Sequence, residues 1–188
     1  MRYWIVNRQS RSIVLVGMMG AGKSAVGRCL QWRTGFAQFD TDEMVRSKFG
    51  MPISEIFSTH SEEKFRKAET NALRKIPSRE CAIIVTGGGI VLREENLDLL
   101  KRLGAVVWLH ADEKALFKRA SRTVNRPVLQ CKNPRDSFAQ MLQARLPLYA
   151  KVADIRVDTT ALTEDEVAVA ILSKFKSYCR KSVRRPQP

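Results

Sequence analysis

The 188-residue sequence predicts an α/β protein whose parallel sheet is covered by helices on both faces. Three observations predict it. Short apolar runs alternate with longer stretches of helical pattern along the chain. The first apolar run leads directly into a glycine-rich loop that opens a helix. Six of the ten glycines lie in that loop and in one later triplet, so glycine is concentrated where strands end.

Ile13-Val14-Leu15-Val16 is the first strand. Gly17-Met18-Met19-Gly20-Ala21-Gly22-Lys23-Ser24 follows, with the G-x-x-x-x-G-K-[ST] spacing of a phosphate-binding loop, and the first helix spans 23–32. Glycines let successive N–H groups turn toward phosphate oxygens, and the helix adds the positive end of its dipole. Lys23 brings a mobile charge, and the Ser24 hydroxyl can ligate Mg²⁺. This motif specifies a nucleoside triphosphate but not the acceptor.

A weaker strand at 36–39 leads into Asp40-Thr41-Asp42 and a helix at 41–49. Two carboxylates at a strand's carboxyl end can hold a metal through water and orient a hydroxyl; they can equally cap a helix. A helix at 61–76 carries Phe65 and Arg66, with Glu69 three residues on to brace the guanidinium. The strand at 82–86 ends in Gly87-Gly88-Gly89, which lets backbone approach a ligand closely. A helix at 94–103, a strand at 105–109 and a helix at 112–121 follow. Residues 122–136 are basic, hold two prolines and lack periodicity, as a lid would. A helix at 137–146 contains Arg145, and a strand lies at 154–158. The last helix spans 163–177, with a Thr163-x-x-Glu166 capping box and Val167, Ile171 and Phe175 along its inner stripe.

Composition narrows the class. The chain is 44% hydrophobic without an apolar run near the roughly 20 residues of a membrane span, so no membrane partner is expected. Cys29, Cys81, Cys131 and Cys179 are scattered, which argues against zinc and for a reducing cytoplasm. The net charge is +14, and nine cations sit in residues 1–11 and 174–188, which hold no acid. Such ends are read as solvated tails rather than a nucleic-acid surface. A single domain is expected over 1–188, with an extension at 1–11, a substrate-binding region at about 41–76, a lid at about 122–136 and a basic tail at 174–188.

The ordered set of the P-loop, Asp40-Thr41-Asp42, Phe65-Arg66, Thr86-Gly87-Gly88-Gly89, Arg126-Pro127 and Arg145-x-Pro147-Leu148-Tyr149 resembles the shikimate kinase family over nearly the whole chain. The resemblance implies a three-layer α/β/α fold of P-loop kinase type, with a central five-stranded parallel sheet, substrate-binding helices and a mobile lid. It implies transfer of the ATP γ-phosphoryl group to the 3-hydroxyl of shikimate with Mg²⁺; a monomer is expected. By motif, Gly20, Ala21, Gly22, Lys23, Ser24, Ala25, Arg119 and Arg126 would bind ATP, with Ser24 and, through water, Asp40 on the metal. Asp42, Phe57, Phe65, Arg66, Gly87, Gly88, Gly89 and Arg145 would bind the acceptor, and Lys23, Asp42 and Arg126 would be catalytic. Ala25 stands where a second hydroxyl residue is common, and residues 159–162 lack the arginine that some members place near adenine. A related kinase of an anionic polyol such as gluconate shares the P-loop. A non-catalytic P-loop module that binds nucleic acid through the basic ends is the reading from another class.

Overall fold

The computed structural model describes residues 12–78, 80–122 and 132–183. Five strands, β1 (Ser12–Val16), β2 (Ala37–Asp40), β3 (Ala82–Val85), β4 (Gly104–His110) and β5 (Ile155–Asp158), form one sheet in the order β2-β3-β1-β4-β5. Every neighbouring pair is parallel. Among the described residues the helices are α1 (Lys23–Thr34), α2 (Thr41–Phe49), α3 (Ile53–Thr59), α4 (Glu62–Lys75), α5 (Glu94–Leu103), α6 (Glu113–Ala120), α7 (Pro134–Val152) and α8 (Glu164–Val183).

Strand order and handedness place the layers. The β1-to-β2 connection runs toward one edge, and every later crossover runs the other way. Right-handed crossovers therefore put α1 on one face and α4, α5 and α7 on the opposite face. α8 packs beside α1 and against β5, and the Arg33–Asp165 ion pair links the two helices at 2.6 Å. The central strands read as continuous apolar runs because helices cover both their faces: Ile13, Val14, Leu15 and Val16 are all fully buried.

The direction reverses around β1, so the loops after β1 and β3 part at the sheet's carboxyl edge. That is where ligands enter an open parallel sheet. The register sets Asp40 beside Val85, Leu15 beside Val85, and Val16 beside Trp108. The P-loop, the Asp40–Asp42 segment and the glycine triplet thus emerge side by side.

A second, smaller core of Val45, Ile56, Phe65, Ala68 and Ala72 joins α2, α3 and α4 beside the sheet. α3 stands where the sequence pattern predicts no element: seven residues are too few to show a period, and Pro52 caps it only by its extended backbone. α7 begins three residues before its predicted start and continues six beyond its predicted end, through Pro147. α8 continues to Val183, carrying Lys174, Lys176, Arg180 and Lys181 as helical rather than tail residues. The Thr163 capping box forms: Glu166 N–H donates to Thr163 Oγ1 at 3.3 Å, and Thr163 N–H donates to Glu166 Oε2 at 2.8 Å. Residues 1–11, 123–131 and 184–188, with Arg126 and most of the expected lid, lie outside the described residues.

Candidate active site

The P-loop is shaped by close packing as much as by glycine content. Gly20 has φ +84°, and a Cβ there would overlap the Leu116 carbonyl, so α6 lies directly against the loop. Gly17 has φ +146°, and a Cβ there would lie 2.5 Å from the Leu109 carbonyl oxygen. Lys23 Nζ donates to the carbonyls of Gly17 at 2.7 Å and Met18 at 3.1 Å, which holds its charge over the loop. Ala21 is buried, Ser24 is exposed at the start of α1, and Ala25 is half-buried beside it.

Hydroxyl groups tie the three strand ends together. Thr86 Oγ1 donates to the Leu15 carbonyl at 2.8 Å, joining β3 to β1. Gly87 N–H donates to Thr41 Oγ1 at 3.2 Å, joining the triplet to α2. Asp40 is the N-cap of α2: its Oδ1 accepts from the N–H groups of Asp42 at 2.9 Å and Glu43 at 3.3 Å. One Asp40 oxygen is therefore given to the helix, so capping and a water-mediated metal role are compatible rather than alternative. Among the described residues no cluster of three acidic, His or Cys side chains forms a metal cage. A P-loop site needs none, because Mg²⁺ there takes a hydroxyl, phosphate oxygens and water. Ser24 and Asp40 fit that donor set.

The glycine triplet is the hub of the remaining groups. A Cβ at Gly87 would lie 2.5 Å from Asp42 Oδ1 and 2.8 Å from Glu69 Oε1. One at Gly88 would lie 3.5 Å from the Gly17 carbonyl oxygen and 3.8 Å from Arg145 Nη1, and one at Gly89 would overlap the Arg66 guanidinium. Residues from the P-loop, α2, α4 and α7 therefore converge within one side chain's length of three consecutive glycines.

Two guanidinium groups face this space. Arg66 donates to Glu69 Oε2 at 2.6 Å and to Glu62 Oε1 at 3.0 Å. Burial pulls its pKa down, but Glu69 and Glu62 outweigh that, so the net shift is upward. Arg145 is shifted downward, by burial first and by repulsion from Arg66, with Tyr149 and Glu69 acting the other way. Burial pushes the Glu69 carboxyl up to about 7 against the pull of Arg66, and Asp42 adds to the push. Two half-buried guanidinium groups, with Glu69 near both and Glu62 on Arg66 alone, can take an anion.

Phe65 is buried, and its ring meets that of the exposed Phe57 at a centroid distance of 4.6 Å. Arg119 donates to Thr159 Oγ1 at 3.3 Å and to the carbonyls of Thr159 at 2.8 Å and Thr160 at 2.9 Å. Its edge thus fixes the 159–160 turn. Sequence reasoning assigned no role to Thr41, Thr86 or Tyr149. All three lie inside the motifs named above, but their hydrogen bonds to backbone groups have no sequence signature of their own.

The shikimate kinase family model matches residues 19–176. A shikimate kinase of Thermodesulfovibrio yellowstonii is 43% identical over 166 residues, covering 88% of this chain and 95% of that protein. The structure of an Acinetobacter baumannii shikimate kinase in complex with shikimate superposes with a TM-score of 0.86 at 36% identity, covering 90% of this chain and 95% of that one. A gluconokinase from Sinorhizobium meliloti shares the fold, with a TM-score of 0.62 at 21% identity over 94% of this chain and 99% of that one.

Proposed function

The chain belongs to the shikimate kinase family, and from that premise we propose that its site transfers the γ-phosphoryl group of ATP to the 3-hydroxyl of shikimate, giving shikimate 3-phosphate and ADP. The observation that carries the reading is the convergence of Arg66, Arg145 and Asp42 on Gly87–Gly89, one loop away from Lys23. Shikimate is a carboxylate with several hydroxyls, and it asks for those groups: guanidinium forks for the carboxylate and a carboxylate to accept from hydroxyls.

Each residue has a place in that transfer. The Gly20–Ser24 backbone, with Ala25 behind it, cradles the phosphates, and Lys23 neutralises charge on the transferring group. Ser24, and Asp40 through water, would hold Mg²⁺, which would neutralise charge on the phosphate oxygens. Arg66 and Arg145 grip the acceptor carboxylate. Phe57 and Phe65 wall the ring, and Gly87, Gly88 and Gly89 admit it close to backbone. Asp42 accepts a hydrogen bond from the reacting hydroxyl and takes its proton or orients it for in-line attack. Arg119 lies against adenine. Arg126, outside the described residues, closes over the phosphates and excludes water. All these roles fall within one chain, which supports a monomer acting on Mg-ATP; the scattered cysteines support the cytoplasm as its place. Among the described residues no helix is long and apolar enough to cross a membrane.

A coupled ADP-release assay with Mg-ATP, run with and without shikimate, tests the reading. Turnover should require shikimate and be insensitive to gluconate. Absence of shikimate-dependent turnover overturns it.

A further inference from the structure

Tyr149 lies on α7, one helical turn beyond Arg145, and is fully buried. Its hydroxyl donates to the Gly88 carbonyl at 2.5 Å. A Cβ on Gly88 would lie 3.8 Å from Arg145 Nη1, so the peptide that Tyr149 holds sits beside the guanidinium. The Tyr149 ring stacks on Trp108 of β4, with centroids 5.9 Å apart and planes 26° from parallel. Burial lifts the phenol to about 12, so the proton stays in place at any working pH.

The helix needs this link. Pro147 stands between the two residues and has no N–H for the Gln143 carbonyl, so the backbone ladder is interrupted where Arg145 must be aimed. Gly88 is also where the P-loop comes nearest the triplet: a Cβ there would lie 3.4 Å from Met19 N. The Gly88 peptide that Tyr149 holds therefore lies between the phosphate loop and the carboxylate clamp.

We propose that Tyr149 is a positioning residue for the acceptor: its hydroxyl locks the Gly88 peptide in place between the P-loop and the Arg145 guanidinium, fixing the acceptor carboxylate relative to the phosphate loop. The inference rests on the acceptor being the carboxylate assigned under Proposed function. Tyr149 acts through the Gly88 peptide and not on either substrate directly.

Tyr149→Phe keeps the ring and removes only the hydroxyl. The shikimate KM should rise about three- to tenfold, the loss expected for one buried hydrogen bond. The ATP KM should stay within about twofold of wild type, because the P-loop bonds are untouched. In the Arg145→Ala background the same change should cost less than in the wild type, because the guanidinium that the Gly88 peptide is held against is gone. A merely structural tyrosine would lower the melting temperature without this split between substrates. An unchanged shikimate KM, a parallel rise in both KM values, strictly multiplicative losses in the double variant, or a Phe variant that fails to fold would each overturn the inference. Those outcomes require an active wild-type control; a wild type without shikimate-dependent turnover would instead remove the reading on which the inference rests.

Discussion

Glu69 is the residue with the most at stake, because it is 1% exposed and serves three neighbours. It compensates Arg66 and Arg145, and it stands against Asp42 across Gly87. Its folded pKa, about 7, lies above the ordinary 4.5. Between those values the folded protein holds a proton that the unfolded chain has released, so stability falls as pH rises through this window and levels off above it. The cost on the alkaline side is about 3 kcal/mol, from 1.36 kcal/mol per unit. Glu69→Gln removes the titration. Unfolding free energies of the two proteins at pH 4.5 and 8 should show the wild type losing about that much relative to the variant, and a constant difference would remove Glu69 as the source. Gly89 makes a separate test, because its missing side chain is the space occupied by Arg66. Gly89→Ala should displace a flexible guanidinium at little cost in stability, yet raise the shikimate KM about ten- to hundredfold, as loss of a charge-assisted contact would. An unaltered KM would mean that Arg66 does not hold the acceptor. Asp42→Asn should collapse kcat by about a hundredfold or more if the carboxylate takes or orients the proton, and steady-state kinetics at saturating substrates reads that directly.

The elements show why some of this was legible in the sequence and some was not. Strands β1, β3 and β4 are apolar on both faces, and their sequences say so without reference to any partner. β2 is short, at an edge and only partly buried, so Ala37–Asp40 gives a weak signal and sits one residue beyond its predicted span. The P-loop, Asp40–Asp42 and the triplet could be recognised because glycine and acid spacing is local. Their meeting could not be read locally: it depends on the register of β2, β3 and β1 and on hydroxyls such as Thr41 and Thr86 that bond across it. Extension of α7 through Pro147 was hidden because a proline ordinarily ends a helix, whereas here Tyr149 and the core hold the next turn in place. α3 was hidden because its seven residues gain stability from one anchor, Ile56, which is fully buried in the small cluster with Val45 and Phe65. That cluster belongs to α2, α3 and α4 and not to the sheet. Ile56→Ala should therefore cost about 2 to 4 kcal/mol, felt first in those helices. Hydrogen exchange should quicken in α2–α4 while α1 and β1 stay protected, and the shikimate KM should rise with the ATP KM unchanged. Uniform loss of protection across the sheet would show that the two cores unfold as one.

At the scale of the whole molecule, charge is the property that no single residue explains. The net charge of +14 is carried by 33 lysines and arginines against 19 acids, and both proposed substrates are anions. Arg66 and Arg145 are substantially buried, so bulk salt screens them weakly once a substrate is seated. The surplus is different: exposed cations such as Lys174, Lys176, Arg180 and Lys181 on α8 act through solvent, at a range set by ionic strength. That range falls from about 30 Å at 0.01 M to about 8 Å at 0.15 M. Encounter should therefore be sensitive to salt while the chemical step is not. Over that interval kcat/KM for each substrate should fall about three- to tenfold with kcat nearly constant, and the slope should be steeper for the more highly charged Mg-ATP than for the singly charged acceptor. Initial-rate measurements at fixed Mg²⁺ across a potassium chloride series give both slopes. A flat kcat/KM would mean that the surplus charge lies where it cannot steer a substrate. A falling kcat with constant KM would move the salt-sensitive contacts inside the site, to Lys23 and the residues around it.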